Sequence, residues 1–458
     1  MPIQSPANLA AGLRGVWSAG RISRLSLSCS HLAKPRVASR GLASCHWHPT
    51  KFSSSSISFS PLFSGSRALT KPSSRLYTIS ASKVTLDASG STPPRSIGYW
   101  LLGSGTLVFG IVVLGGLTRL TESGLSIVEW NLIKGMKPPR STEEWEEEFN
   151  KYKQFPEYKV LNHHMELDEF KKIFYMEWAH RMWGRGIGLA FLLPAAYYAY
   201  RGHLKGALGR RVLAIGGLIG FQGALGWYMV KSGLDESLGT TPNSVPRVSQ
   251  YRLAAHLGSA FAIYAGMLYT GWDVLRSNRK TTPGPNTVTA SAMKKVLALR
   301  TPAMGLAGLI FITAMSGAFV AGLDAGLLYD TFPLMGDRLV PPSGEIWSEK
   351  YTHAGSSLRW PNLFENPTTV QFNHRVLATT TFAGVSAFYL YARKLPFPTP
   401  ARRALQAMMG IACLQVSLGI GTLLYGVPIA LAAAHQAGSL ALLTAALRLS
   451  HTLKRLPK

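Results

Sequence analysis

Acidic residues are scarce in this chain: 22 Asp and Glu stand against 48 Lys and Arg, a formal net charge of +26 over 458 residues. Charge of either sign is sparse, at 15%, while 47% of the residues are hydrophobic. The apolar residues come in blocks of about twenty, which excludes an ordinary water-soluble core and predicts a polytopic membrane protein. Cysteine is nearly absent. Cys29 and Cys45 lie in a basic leader and Cys413 stands alone in an apolar segment, so the mature chain has neither an intramolecular disulfide nor a thiolate cluster for a metal.

An excess of positive charge can signal nucleic-acid binding, but its distribution here excludes that class. Residues 1–96 hold twelve Lys and Arg and one acid, Asp87. The stretch is rich in Ser and Arg and lacks a long apolar run. It reads as a mitochondrial presequence, the alternative being a retained basic tail. Arg75-Leu76-Tyr77-Thr78 resembles a matrix-peptidase cleavage site, which assigns residues 1–77 to the leader.

Eight candidate spans follow, at about 97–118, 179–200, 211–231, 252–274, 302–323, 372–392, 403–425 and 428–447. Each can cross a hydrocarbon core as a helix. Segments 201–211, 275–301, 393–403 and 448–458 hold 18 Lys and Arg and no acid; the alternate loops 119–176, 231–252 and 324–373 hold 15 basic and 19 acidic residues. The positive-inside rule puts the first set, and both mature ends, in the matrix. The acidic run "STEEWEEEFNKYKQF" in the first long loop predicts a short solvated helix without a catalytic role.

The first and last four spans match at sparse positions. "EWAHR" at 177–181 faces "QFNHR" at 371–375, "QGALG" at 222–226 faces "QVSLG" at 415–419, and "LAAHLGS" at 253–259 resembles "AAAHQAGS" at 432–439. Chance similarity among Ala- and Gly-rich helices is the alternative, but two of the matches recur in order and nearly in register. Four spans per half is an even number, so both halves insert the same way up. The expected fold is an all-α membrane protein with eight transmembrane helices arranged as two pseudo-symmetric four-helix bundles. The first covers 97–274, a matrix linker 275–301, and the second bundle 302–450.

Four of the twelve histidines fall within these spans: His180, His256, His374 and His435, in spans 2, 4, 6 and 8, near their outer ends. Two imidazoles from facing helices can bind haem iron from opposite faces while the bundle core holds the macrocycle. Zinc would want more ligands close together. A lone histidine of this kind is ordinarily an interhelical hydrogen bond, and a proton relay is a further alternative. Arg181, Arg185 and Arg375 lie at the same edge, where a guanidinium can pair with a haem propionate. Snorkelling to lipid phosphate is the alternative, and for Arg185 both readings stand. Glu177 and Gln371 each precede a histidine by three residues and share its helix face. Glu177 can move protons or stabilise charge at a reacting centre, or simply favour a helix N-terminus. Only the first half has the carboxylate, which hints at chemistry there and a resident cofactor in the second half.

The string "GGLTRLTESGLSIVEWNLIKGMKPP" at 115–139, followed by "EWAHRMWGR", resembles the signature of the heme A synthase family of mitochondria and bacteria, and the similarity runs from about 97 to 450. The resemblance implies an oxidoreductase of the mitochondrial inner membrane. It would oxidise the C8 methyl of heme O to a formyl group, by two oxygenations and loss of water from a geminal diol, to supply cytochrome c oxidase. It implies that His374 and His435 bind haem b, that His180 and His256 face the substrate heme O, and that Glu177 is essential. Bacterial relatives often carry a cysteine pair in the first outer loop; residues 119–176 contain none. The implied partners are a matrix ferredoxin-type electron donor, with heme O synthase, oxidase assembly factors and a second copy of the chain as further candidates. Two readings from other classes are an electron-carrying b-type dihaem cytochrome and a haem-binding assembly factor.

Overall fold

The structure is a computed structural model. It describes residues 92–131, 133, 136–237, 245–278, 290–352 and 359–454. The leader and its cleavage site lie outside the described residues. Every regular element among the described residues is helical: α1 (Arg95–Leu120), α2 (Thr142–Tyr152), α3 (Pro156–Val160), α4 (Leu167–Tyr200), α5 (Gly206–Gly233), α6 (Gln250–Ser277), α7 (Ala290–Ala298), α8 (Arg300–Gly322), α9 (Ser343–Ile346), α10 (Asn362–Glu365), α11 (Pro367–Ala392), α12 (Thr399–Leu424) and α13 (Ile429–Lys454), with two short 3₁₀ turns.

Among the described residues, five helical stretches are long and apolar enough to cross a membrane: Arg95–Leu120, Gly206–Gly233, Lys294–Gly322, Thr399–Leu424 and Ile429–Leu453. The other long helices, α4, α6 and α11, miss that hydropathy. They carry His180, His256 and His374 with their polar neighbours.

Helix ends explain where prediction and structure part. Span 2 is expected from 179, yet α4 begins at Leu167. A capping box closes its start: the Glu166 carboxylate takes the Glu169 backbone N–H, and Glu169 returns to the Glu166 N–H. The added turns bury Phe170 and Phe174, four residues apart on one face. α11 starts at Pro367 behind an Asn366 cap, whose side chain accepts from the Thr368 N–H. The last helix runs to Lys454, past the expected limit of 447, and so takes in His451.

α1 packs on α6 and α4, and α5 on α6 and more lightly on α4. In the second half α8 packs on α11 and α13, and α12 on α13 and α11. Contacts of α6 with α8, and of α13 with α1 and α6, join the halves. Small residues permit the tightest approach. A Cβ on Gly98 would lie 3.2 Å from the Gly271 carbonyl, and one on Gly271 3.1 Å from that of Gly98, so α1 and α6 touch backbone to backbone. Leu101 and Met267 are fully buried in this core.

The acidic run forms α2, and its apolar side is more than a solvated surface. Trp145, Phe149 and Tyr152 recur at helical spacing and pack on Phe170 and Phe174, with Ile127 and Val128 at the rim. The glutamates stay on the wet face. α2 is therefore a lid over the start of α4 and the loop after α1.

Candidate functional site

The long helices bring the four histidines together in two pairs. His256 lies within electrostatic range of His180, and His374 within range of His435. Each imidazole is received by a glycine on a neighbouring helix. A Cβ on Gly115 would stand 2.9 Å from Cε1 of His180, and one on Gly317 3.1 Å from Cε1 of His374. The corresponding distances are 3.3 Å from Gly226 to His256 and 2.8 Å from Gly419 to His435. At such distances a methyl group would displace the ring.

These contacts explain the QxxLG strings. Gln222 donates to the backbone carbonyl of His256 at 3.0 Å, and Gln415 to that of His435 at 2.8 Å. The glycine four residues on lies one turn away on the same face and admits the ring. Sequence reading saw the repeat of the strings but not this division of labour.

Glu177, Arg181 and Arg185 stand four residues apart along one face of α4 and hold the loop that follows α1. One oxygen of Glu177 accepts from Ser126 Oγ at 2.7 Å and from the Ile127 N–H at 2.8 Å. The other pairs with Arg181 at 2.7 Å. Arg181 also donates to the carbonyls of Ile127 at 2.6 Å and Glu129 at 2.8 Å, and Arg185 donates to that of Asn131 at 2.9 Å. Trp130 stacks on the Arg181 guanidinium, 4.8 Å from the ring centre. It also reaches the neighbourhood of Gly226, beside His256.

The second half repeats the clamp with different chemistry. Gln371 and Arg375 both donate to the Tyr329 carbonyl at 2.9 Å, and Arg375 also to those of Thr331 and Leu334. Ile127 and Tyr329 are 202 residues apart, as are Gly115 and Gly317, and Glu122 and Asp324. Glu122 and Asp324 share a left-handed backbone, with φ of 50° and 52°. The repeat thus continues into loops whose side chains hardly match. All three arginines also bond to loop carbonyls, a role that neither propionate pairing nor snorkelling describes. Arg375 Nε and Gln371 Oε1 are buried without a partner.

The imidazoles differ between the halves. His374 Nδ1 lies 2.7 Å from Ser316 Oγ, whose own hydrogen goes to the Thr313 carbonyl at 2.7 Å. His435 Nδ1 lies 3.1 Å from the Gln415 carbonyl. His435 Nδ1 must donate to its carbonyl, and His374 Nδ1 donates when the Ser316 hydrogen goes to Thr313; the Nε2 lone pairs are then free. That is the state of an imidazole prepared to bind a metal, with its second hydrogen bond fixing ring and tautomer. A haem iron fits this donor pair. In the first half, His180 Nδ1 and His256 Nδ1 are buried without a hydrogen-bond partner.

A buried pair absent from the sequence reading lies at the opposite end of the helices. His451 Nε2 meets Asp273 Oδ1 at 2.9 Å, and Arg211 meets the other oxygen at 2.8 Å. His451 was outside the expected spans. An acid–histidine pair from α6 and α13, 178 residues apart, has no local signature.

Apolar helices and two repeat-related histidine pairs define a membrane protein with two imidazole sites that differ in hydrogen bonding. The chain belongs to the cytochrome oxidase assembly protein family COX15-CtaA, whose model matches residues 98–447. It is 48% identical over 429 residues to heme A synthase COX15 of Mus musculus, covering 93% of this chain and 95% of that one. It is 50% identical over 371 residues to heme A synthase COX15 of Saccharomyces cerevisiae, covering 79% and 76%. A heme A synthase–mitochondrial ferredoxin fusion protein of Schizosaccharomyces pombe is 45% identical over 379 residues, 80% of this chain and 61% of that protein.

Proposed function

We propose that this chain is a heme A synthase that oxidises the C8 methyl of heme O to a formyl group. The observation that carries the reading is the contrast between the paired histidines: one pair anchored through both Nδ1 atoms, the other with neither anchored. His374 and His435 hold haem b. His180 and His256 face heme O, with Glu177 one turn above His180. A bound haem iron supplies the redox chemistry that oxidises a methyl group with oxygen and electrons.

The chain's own residues orient and enclose. The glycines at 115, 226, 317 and 419 set the depth of each ring. Glu177 holds the 126–127 loop down, and its carboxylate is the group placed to take a proton beside the reacting haem. Arg181, Arg185 and Arg375 meet propionates at the same edge, supported most directly by the unpartnered Nε of Arg375. α4, α6 and α11 cross the membrane alongside the five more apolar helices, which gives eight spans in two four-helix bundles, residues 97–274 and 302–450. Site residues account for their lower hydropathy. The acid-free loops support an orientation with both mature ends on the matrix side of the inner membrane. A ferredoxin-type donor supplies the electrons, in keeping with the Schizosaccharomyces pombe fusion.

The test is reconstitution of the purified protein with heme O, a reductant and oxygen, followed by mass analysis of the extracted haem. A hydroxymethyl or formyl product is expected. Recovery of unaltered heme O and haem b alone would point to an electron-carrying cytochrome.

A further inference from the structure

Ser316 precedes the glycine that receives His374. Its repeat partner, 202 residues earlier, is Leu114, which precedes the glycine that receives His180. Thr313, whose backbone carbonyl engages the Ser316 hydroxyl and also the His374 ring, is matched by Ile111, which keeps the carbonyl. The hydroxyl that bonds His374 is therefore missing from the first half by substitution, while the glycine beside it is kept. The His256 ring likewise lacks the backbone carbonyl that His435 finds at Gln415.

We propose that Ser316 is a positioning residue that locks His374 as a permanent axial ligand, and that Leu114 at the equivalent place leaves the His180 ring free to turn away from its haem. The inference rests on the assignment of the two haem sites made above. Its physical basis is simple. A hydrogen bond from Nδ1–H fixes ring rotation and tautomer and makes Nε2 a stronger donor, which favours ferric iron and lowers the potential. A ring without that bond is held by packing alone and can release a coordination position. The resident haem needs the first property and a reacting haem the second. For the His374 and His180 rings, the difference lies at Ser316 in one half and Leu114 in the other.

The test uses full-length protein in detergent, with Ser316→Ala, Ser316→Thr and Leu114→Ser beside the wild type. For Ser316→Ala, the haem b midpoint potential should rise, and haem transfer to a scavenging apoprotein should speed up roughly tenfold or more. Ser316→Thr, which keeps the hydroxyl, should restore both. A wild-type potential and transfer rate in Ser316→Ala would overturn the role of Ser316. For the other half, protein loaded with heme O is reduced and titrated with carbon monoxide. The wild type should bind it at the substrate haem, and Leu114→Ser should bind it more weakly. Equal binding by both, or none by the wild type, would overturn the role of Leu114. His374→Ala serves as the separate check: retention of haem b there would sink the site assignment itself.

Discussion

Glu177 holds a loop and, on the proposed assignment, serves the reaction; one substitution can part the two. Its carboxylate bonds Ser126, Ile127 and Arg181. Glu177→Gln keeps the size and copies Gln371, which clamps its own loop as an amide. Resident haem b should stay in place, while conversion of heme O should fall by about 10²–10⁴, the cost of a missing acid–base group. Near-normal conversion by the mutant would make the residue a loop clamp only. On the proposed assignment, His374→Ala and His435→Ala each remove one axial ligand. Purified variants should lose most of the haem b spectrum, and normal stoichiometry in either would refute the pairing. In the lid, burial pushes the Glu157 carboxyl up to about 8 from an ordinary 4.5, with Glu177 adding to the rise and the Tyr152 hydroxyl opposing it. The folded value lies above the unfolded one, so this group's contribution to lid docking is full below about 4.5 and is lost as pH rises through 8. Relative to the intrinsic base-catalysed rate at each pH, the protection of α2 amides should therefore fall between about pH 5 and pH 9, and Glu157→Gln should flatten that dependence. A flat profile in the wild type would show that Glu157 ionises without disturbing the lid.

At the scale of helices, glycine placement decides where an imidazole can sit. A Cβ on Gly419 would come within 2.8 Å of His435, and one on Gly115 within 2.9 Å of His180. Gly419→Ala should therefore displace His435 and deplete haem b while leaving the fold intact, since alanine is the better helix former by about 1 kcal/mol. Gly115→Ala should leave haem b alone and impair heme O binding. The two effects are read by haem stoichiometry and by heme O titration. The same haem loss from both variants would contradict the division between the halves. α2 shows how composition misleads at this scale: five glutamates in eleven residues suggest a free solvated helix, yet three aromatics on its other face seat it on α4.

Across the whole molecule, two ion networks tie the halves. Arg119 and Arg247 both reach Asp324, each at 2.8 Å, on a carboxylate that is 38% exposed. Water screens that network, and Asp324→Asn, which also tolerates the left-handed backbone, should cost under about 1 kcal/mol. Asp273 is 9% exposed and His451 1%. Asp273→Ala leaves a buried imidazole without its acceptor and should cost about 1–3 kcal/mol. Thermal unfolding of the two variants in one detergent gives the comparison, and an equal shift would show that burial of the Asp273 pair adds nothing.

The amino-acid sequence by itself determined the apolar segments, the helix-dominated fold, the four histidines and the family, because hydropathy, periodicity and short strings are local properties. It located Glu177, Arg181 and Arg375 without showing what they hold. The partners are backbone carbonyls and N–H groups of loops, and every residue carries those, so no residue type marks them. Only the tertiary structure decided that each histidine rests on a glycine of another helix, that His374 has a hydroxyl behind it and His180 does not, and that His451 finds Asp273. Each of these depends on which helix faces which and at what rotation. Packing between distant segments sets that geometry, and no window of sequence contains it.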